Sequence, residues 1–320
     1  MTLWPRRLCL IACAGVFLSA SPAAAETLKV GKAVAKSFSF SMIDLGVKAG
    51  IFKKHGLDLE IISFGGGARL QQAMAGESID IGFGGGVEMA FIAKGSPILG
   101  VAAMAGPPDL VLAIRPDAGI AGIADLKGKK VSVSSPNAVT GWMMRELARQ
   151  QGFDPARQEG ITLIGNAPQA GWAAMRTGQV DGIVDNYGAV LDAEQRGLGR
   201  LLTRFSDHVK DFHMYVIFAS NRLIESKPDT VRAFLRGWFE TVAYARSHKA
   251  ETIEVASAVT DTEKSLNEKI YDFQMSIFST DGRFDGKALD TIRRSSVELK
   301  ILDKEPDMAT LYTEKFLPGR

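Results

Sequence analysis

Two short glycine runs are the part of this sequence whose residue types and spacing best suit chemistry. Leu59-Glu-Ile-Ile-Ser-Phe64 leads into Gly65-Gly66-Gly67 and a helical run from Ala68, and Ile79-Asp-Ile-Gly-Phe83 leads into Gly84-Gly85-Gly86 and a second helical run from Val87. Glycines between a strand and a helix let the backbone turn steeply and leave the first helical N–H groups uncovered, where a small anionic or acceptor-rich group can settle. Turn chemistry alone accounts for one such copy. Two copies on neighbouring strands of a parallel sheet would aim at one crevice, and the repetition is what points to a site. Nucleotide motifs are excluded by spacing. Gly82, Gly84 and Gly86 are followed by Val87 and Glu88, Gly65 to Leu70 fails G-x-G-x-x-G, and in Gly122 to Lys130 five residues precede Gly128-Lys129, with Lys130 where a phosphate loop needs Ser or Thr.

Catalytic patterns are missing as well. The sequence has no G-x-S-x-G, and His55, His208, His213 and His248 show no H-E-x-x-H spacing. His55 reads as a solvated helix end, and His213 as a structural residue near a crossing between lobes. Cys9 and Cys13 both lie in the leader described below, so the expected mature chain lacks disulfides, thiol nucleophiles and cysteine metal sites. Neither a cofactor nor a metal is expected. Binding without catalysis is the reading these absences favour.

The elements that must position a site follow from periodicity. Thr27 to Val34 reads as a strand, followed by Lys36-Ser37-Phe38-Ser39-Phe40, whose amine, hydroxyls and aromatics form a first wall; either Ser39 or Ser41 could cap the helix that follows. Pro97 to Met104 and Leu110 to Ile114 are further strands, and the loosening after Arg115-Pro116 reads as a crossing into a second lobe. There the grammar restarts. Lys129 to Val133 is a strand, Ser134-Ser135-Pro136-Asn137-Ala138-Val139-Thr140 a polar turn, and Trp142 begins a helical stretch. Ile161 to Gly165 ends at Asn166, and Val180 to Val184 enters Asp185-Asn186-Tyr187. Met214 to Ala219 reads as a strand returning to the first lobe, and Val231, Phe234, Leu235, Trp238, Val242 and Ala245 make one apolar helical face. The expected domains are 26–115 with 213–320, and 116–212, joined by a hinge of two strands near Pro116 and Tyr215.

Residues 1–25 read as a signal peptide. Arg6-Arg7 precede an apolar run from Leu8 to Ala20, and Ala23-Ala24-Ala25 precede Glu26. That run is too short to span a bilayer, which needs about 20 residues. Leu10-Ile-Ala-Cys13 also fits a lipoprotein box, although cleavage there would leave only a short apolar core, and Arg6-Arg7 hint at twin-arginine export. The whole chain has a formal charge of +2. Loss of two arginines and no acid brings the mature chain to balance, which offers nothing to nucleic acid or an anionic membrane. A soluble periplasmic monomer is expected.

Several segments carry a family resemblance: Ala49-Gly-Ile-Phe-Lys-Lys-His-Gly-Leu-Asp-Leu-Glu60, Met74-Ala-Gly-Glu-Ser-Ile-Asp80, Ala93-Lys-Gly-Ser-Pro-Ile98, Ala124-Asp-Leu-Lys-Gly-Lys-Lys-Val131 and Gly178-Gln-Val-Asp181. In order and over nearly the whole mature chain, they resemble the ABC-transporter substrate-binding proteins of the nitrate, sulfonate, taurine and thiamine-precursor type. The resemblance implies an α/β type II periplasmic binding protein fold, a small-molecule ligand held between lobes, and a membrane permease as partner. By position it implies ligand contacts at Ser37 to Phe40, Gly65 to Gly67, Gly84 to Gly86 and Ser134 to Thr140. Many relatives have an acidic residue and proline, often with tryptophan, where this chain has Asp185-Asn186-Tyr187. A thiamine-pyrimidine synthase is similar to these binders but relies on a cysteine-rich segment that this chain lacks; an enzyme acting on a related small metabolite is the alternative reading. An aromatic or amino-bearing small acid is favoured as ligand over a bare inorganic anion. Asp185 either faces an amine on that ligand or caps the next helix.

Overall fold

The computed structural model describes residues 25–153 and 160–319; all of the expected leader but its last residue lies outside them. In chain order the first elements are β1 (Glu26–Lys32), α1 (Phe38–Lys48), α2 (Ile51–Lys54), β2 (Leu57–Ser63), α3 (Gly67–Ala75), β3 (Ile81–Gly85), α4 (Met89–Ala93) and β4 (Ile98–Ala105). The middle of the chain supplies β5 (Leu110–Ile114), β6 (Lys129–Val133), α5 (Val139–Gln150), β7 (Ile161–Gly165), α6 (Pro168–Arg176), β8 (Gly182–Asn186), α7 (Tyr187–Gln195) and β9 (Arg200–Arg204). The last part adds β10 (Tyr215–Ser220), α8 (Asn221–Ser226), α9 (Pro228–Ser247), α10 (Lys249–Thr260), α11 (Lys264–Ile277) and α12 (Gly286–Glu298).

Two five-stranded sheets result, ordered β2-β1-β3-β10-β4 and β7-β6-β8-β5-β9. The topology is the same in both. Three parallel strands come first, and the fourth place is taken by an antiparallel strand that has crossed over from the other part of the chain: β10 against β3 and β4, and β5 against β8 and β9. The expected boundary near Pro116 is therefore corrected. Leu110–Ile114 follows β4 so closely that the sequence suggests a neighbour in the same sheet, but its ladder partners lie later in the chain, and the first crossing is at 106–109. The second crossing, 205–214, runs beside the first, where the Met214 N–H donates to the Gly106 carbonyl at 2.9 Å.

Apolar periodicity explains the outer layer. The expected face of α9, from Val231 to Ala245, is buried, and Trp238 packs on Phe83 of β3 with ring centroids 4.9 Å apart. A main core runs through both sheets, and a smaller cluster of Val111, Ala113, Met175, Val180, Ile183 and Val190 lies on the other face of the second sheet. α12 reaches across the junction, because Trp142 of α5 donates its indole N–H to Glu298 at 2.7 Å. No described helix is long and apolar enough to cross a membrane.

Candidate ligand-binding site

A cavity of about 640 Å³ lies at the junction of the two sheets. Its walls come from the segments that follow the parallel strands: Ser37, Phe38 and Phe40 after β1, Gly67 after β2, Gly85 and Gly86 after β3, Thr140 after β6, Pro168 after β7, and Asp185 and Asn186 after β8. Strands of one direction deliver their carboxyl ends to one edge, so their turns converge there. α11 closes one side with Leu266, Ile270 and Gln274, the crossings add Asp109 and Phe212, and β10 adds Tyr215.

Half of the residues singled out from sequence reach this cavity. Ser37 caps α1 by accepting from the Phe40 N–H at 3.4 Å, which turns Phe38 and Phe40 inward. Phe40 lies against the Tyr215 ring, centroids 4.8 Å apart. Ser39 does not line the cavity; it is buried behind it and donates toward Asp109 and Gln274, each at 3.1 Å. In the second lobe Thr140 Oγ1 accepts from the Ser134 N–H at 3.1 Å and leaves Ser134 outside the walls. Ser135 accepts from the Asn137 N–H at 3.2 Å, and α5 begins at Val139 with Ala138 as its cap, so neither Ser135 nor Asn137 faces the cavity. Asn166 is turned to Ser132 at 3.2 Å, and Tyr187 packs edge-on against Phe273. Asn186, not Asp185, caps α7, accepting from the Ala189 N–H at 2.9 Å.

The glycine turns hold something other than what the sequence suggested. Central N–H groups of both turns are already taken: Gly66 donates to the Ala33 carbonyl at 2.9 Å and Gly86 to the Met214 carbonyl at 3.2 Å. Between the turns lies the carboxylate of Glu88, from the short 3₁₀ turn that follows β3. Gln71 donates to it at 2.9 Å and the Gly85 N–H also donates to it. A methyl group on Gly67 or Gly84 would overlap the Glu88 carboxylate, and one on Gly86 would overlap the His213 carbonyl. Both turns are thus glycine-rich partly because an internal side chain and the second crossing run against them. Gly65 bridges to Val34, and Gly65, Gly66 and Gly84 are not in the cavity wall.

Two parts of the wall carried no expectation from sequence, the carboxylate of Asp109 and the side of α11. Asp109, on the first crossing, is buried and accepts from the Tyr215 hydroxyl at 3.0 and 3.2 Å to its two oxygens. Burial raises its pKa against those hydrogen bonds, and it drives the Tyr215 hydroxyl well above its ordinary range. Burial also pushes Glu88 up to about 6. Asp185, whose oxygens accept from the Trp172 indole at 2.8 Å and the Asn186 N–H at 2.8 Å, is raised by burial too. The acid in Gly106-Pro107-Pro108-Asp109 was a visible signal, a charge amid apolar strands; the α11 wall left none, since nothing local ties residues 266–274 to the glycine turns. His213 proves structural, its Nε2 accepting from the Asp285 N–H at 2.9 Å, with burial lowering its pKa to about 4.

Comparison with known proteins agrees with this architecture. A protein of Brucella abortus named as a binding protein is 24% identical over 234 residues, covering 72% of this chain and 71% of its own. The periplasmic aliphatic sulphonate binding protein of Escherichia coli superposes with a TM-score of 0.76 at 18% identity, covering 92% of each chain. The periplasmic nitrate-binding protein of Synechocystis PCC 6803 gives 0.70 at 14% identity, over 91% of this chain and 86% of its own. The fold is therefore that of the periplasmic binding proteins. The NMT1/THI5-like family profile matches residues 38–252, and the chain belongs to that family.

Proposed function

We propose that this protein is an exported solute-binding protein that captures a small organic molecule between its two lobes and presents it to the permease of an ABC importer. One observation carries the reading: a single cavity of about 640 Å³ receives the turns after six parallel strands, three from each sheet. Its aromatic walls, Phe38, Phe40, Phe212 and Tyr215, suit a flat organic body, and its size exceeds what a bare inorganic anion would fill. The sulphonate and nitrate that the structural neighbours are named for suit this chain poorly, because its own Glu88 lies between the glycine turns.

Two adjacent crossings, 106–109 and 205–214, join the lobes, an arrangement that permits closure about a hinge. Turnover is no part of the proposal. Tyr215, the lining hydroxyl most affected by burial, is driven away from ionisation, which is the opposite of an activated nucleophile. The leader at residues 1–25 would deliver the protein to the periplasm as a soluble monomer. Native mass spectrometry of protein purified from its own periplasm tests the reading. A retained small molecule, whose removal lowers the melting temperature, is expected. A protein that leaves the cell empty and gains no thermal stability from any fraction of small metabolites would overturn it.

A further inference from the structure

We infer that the ligand presents a cationic nitrogen group, an ammonium or amidinium, to Glu88 and Asp109, and that Glu88 excludes anions from the site. This rests on the reading of the cavity as the ligand site and adds the charge class of its occupant.

Acids and bases in the cavity are unequally matched. Two basic side chains line the cavity, and each is already matched by an acid: Lys36 with Asp261 at 2.9 Å and Arg196 with Asp192 at 3.0 Å. All four of these side chains are well exposed at the mouth. Deeper in, Glu88, Asp109 and Asp185 have no basic partner within ion-pair distance among the described residues. Their hydrogen bonds come from neutral donors, Gln71 and the Gly85 N–H for Glu88, Tyr215 and Ser39 for Asp109, and Trp172 and Asn186 for Asp185. Carboxylates removed from water without a counter-charge are costly unless a cation arrives. A cationic ligand would supply it.

Position strengthens the charge argument. Tyr215 faces Gly85 across the β3–β10 ladder and donates to Asp109, so the tyrosine lies between the glycine turn that holds Glu88 and the first crossing that carries Asp109. The rings of Tyr215 and Phe40 meet there, with Phe38 in the same wall. Carboxylates beside aromatic faces are complementary to a delocalised cation, which takes charge-assisted hydrogen bonds at its edge and ring contact at its face. An anion would meet the opposite: Glu88 occupies the space between both glycine turns and has taken the Gly85 N–H for itself.

Three probes of one shape separate the alternatives: benzamidinium, benzamide and benzoate, titrated calorimetrically at pH 7.5 into protein stripped of any retained ligand. Benzamidinium is expected to bind at least tenfold more tightly than benzamide, with benzoate not bound. Glu88→Gln, checked for an unchanged circular dichroism spectrum, is expected to weaken benzamidinium at least tenfold and to narrow its margin over benzoate. Benzoate binding as tightly as benzamidinium to the wild type would overturn the cation assignment and leave the importer reading standing. Failure of all three probes to bind, while a periplasmic metabolite fraction still stabilises the protein and yields a neutral or anionic molecule on mass analysis, would also overturn it. If neither probes nor metabolites bind, the ligand-site reading falls with it.

Discussion

Glu88 shows how one side chain can reverse the meaning of a motif. In sequence it is merely the first acid after a glycine run; in the fold its carboxylate lies where the paired turns would have held an external anion. Its ordinary pKa of 4.5 is raised to about 6, first by burial, against the hydrogen bonds from Gln71 and Gly85. A raised carboxyl pKa means that the folded state holds the proton more tightly than the unfolded chain. The resulting stabilisation is present below pH 4.5 and is lost as pH rises through 6. Glu88→Gln keeps the shape and removes the titration. The ligand-free variant should therefore gain on the wild type by on the order of 1–2 kcal/mol between pH 4.5 and 7.5. Thermal melts across that range would show the two midpoints moving apart in the variant's favour; parallel midpoints would show that Glu88 is not held as described.

At the scale of elements, the glycine turns make distinguishable demands. Gly67 opens α3 and lacks a side chain because Glu88 is there, whereas Gly66 has φ +124° and open space around it. Gly67→Ala should cost roughly 1–3 kcal/mol through overpacking, and most of that cost should disappear in a Glu88→Ala background. Gly66→Ala should cost about 1 kcal/mol or more through backbone strain and should be indifferent to Glu88. Chemical denaturation of the three single variants and the two double mutants decides it; equal relief for both glycines would refute the distinction. The same elements show what the sequence could reveal. Strands β6 and β7 were legible to the residue because their apolar runs are bounded by turn formers, and α9 because its apolar face is long. The sheet membership of β5 was not, since pairing with β8 and β9 is set by contacts some 70 to 90 residues away. Serines and asparagine in the 134–140 turn were equally ambiguous: types that could cap, bind or merely turn are separated only by where the helix starts, and it starts at Val139.

For the whole molecule, the question is whether the cavity between the two sheets closes on its ligand, as proposed, while the core stays packed. The crossings at 106–109 and 205–214 are hydrogen-bonded to each other through Met214 and Gly106, so they should bend as one unit. Asp109 lies on the first, Tyr215 at the end of the second, and Ser39 ties that pair to α1. A ligand that engages Asp109 would therefore act on the proposed pivot itself. Opposing large motion, α12 is joined to α5 by the bond from Trp142 to Glu298, and the second crossing is joined to α5 by Phe212 stacked on Trp142 with centroids 5.5 Å apart; rotation should centre on that side and close the mouth where Lys36 and Arg196 lie. Small-angle scattering on protein carrying its native ligand, and again after the ligand is stripped by unfolding and refolding, should give a smaller radius of gyration for the loaded form. Trp142→Phe keeps the ring stack and removes the bond to Glu298, and is expected to widen the difference by letting the empty form open further. Equal dimensions in both forms, with ligand loss verified by mass, would mean that the two sheets frame a rigid pocket and that the crossings do not act as a hinge.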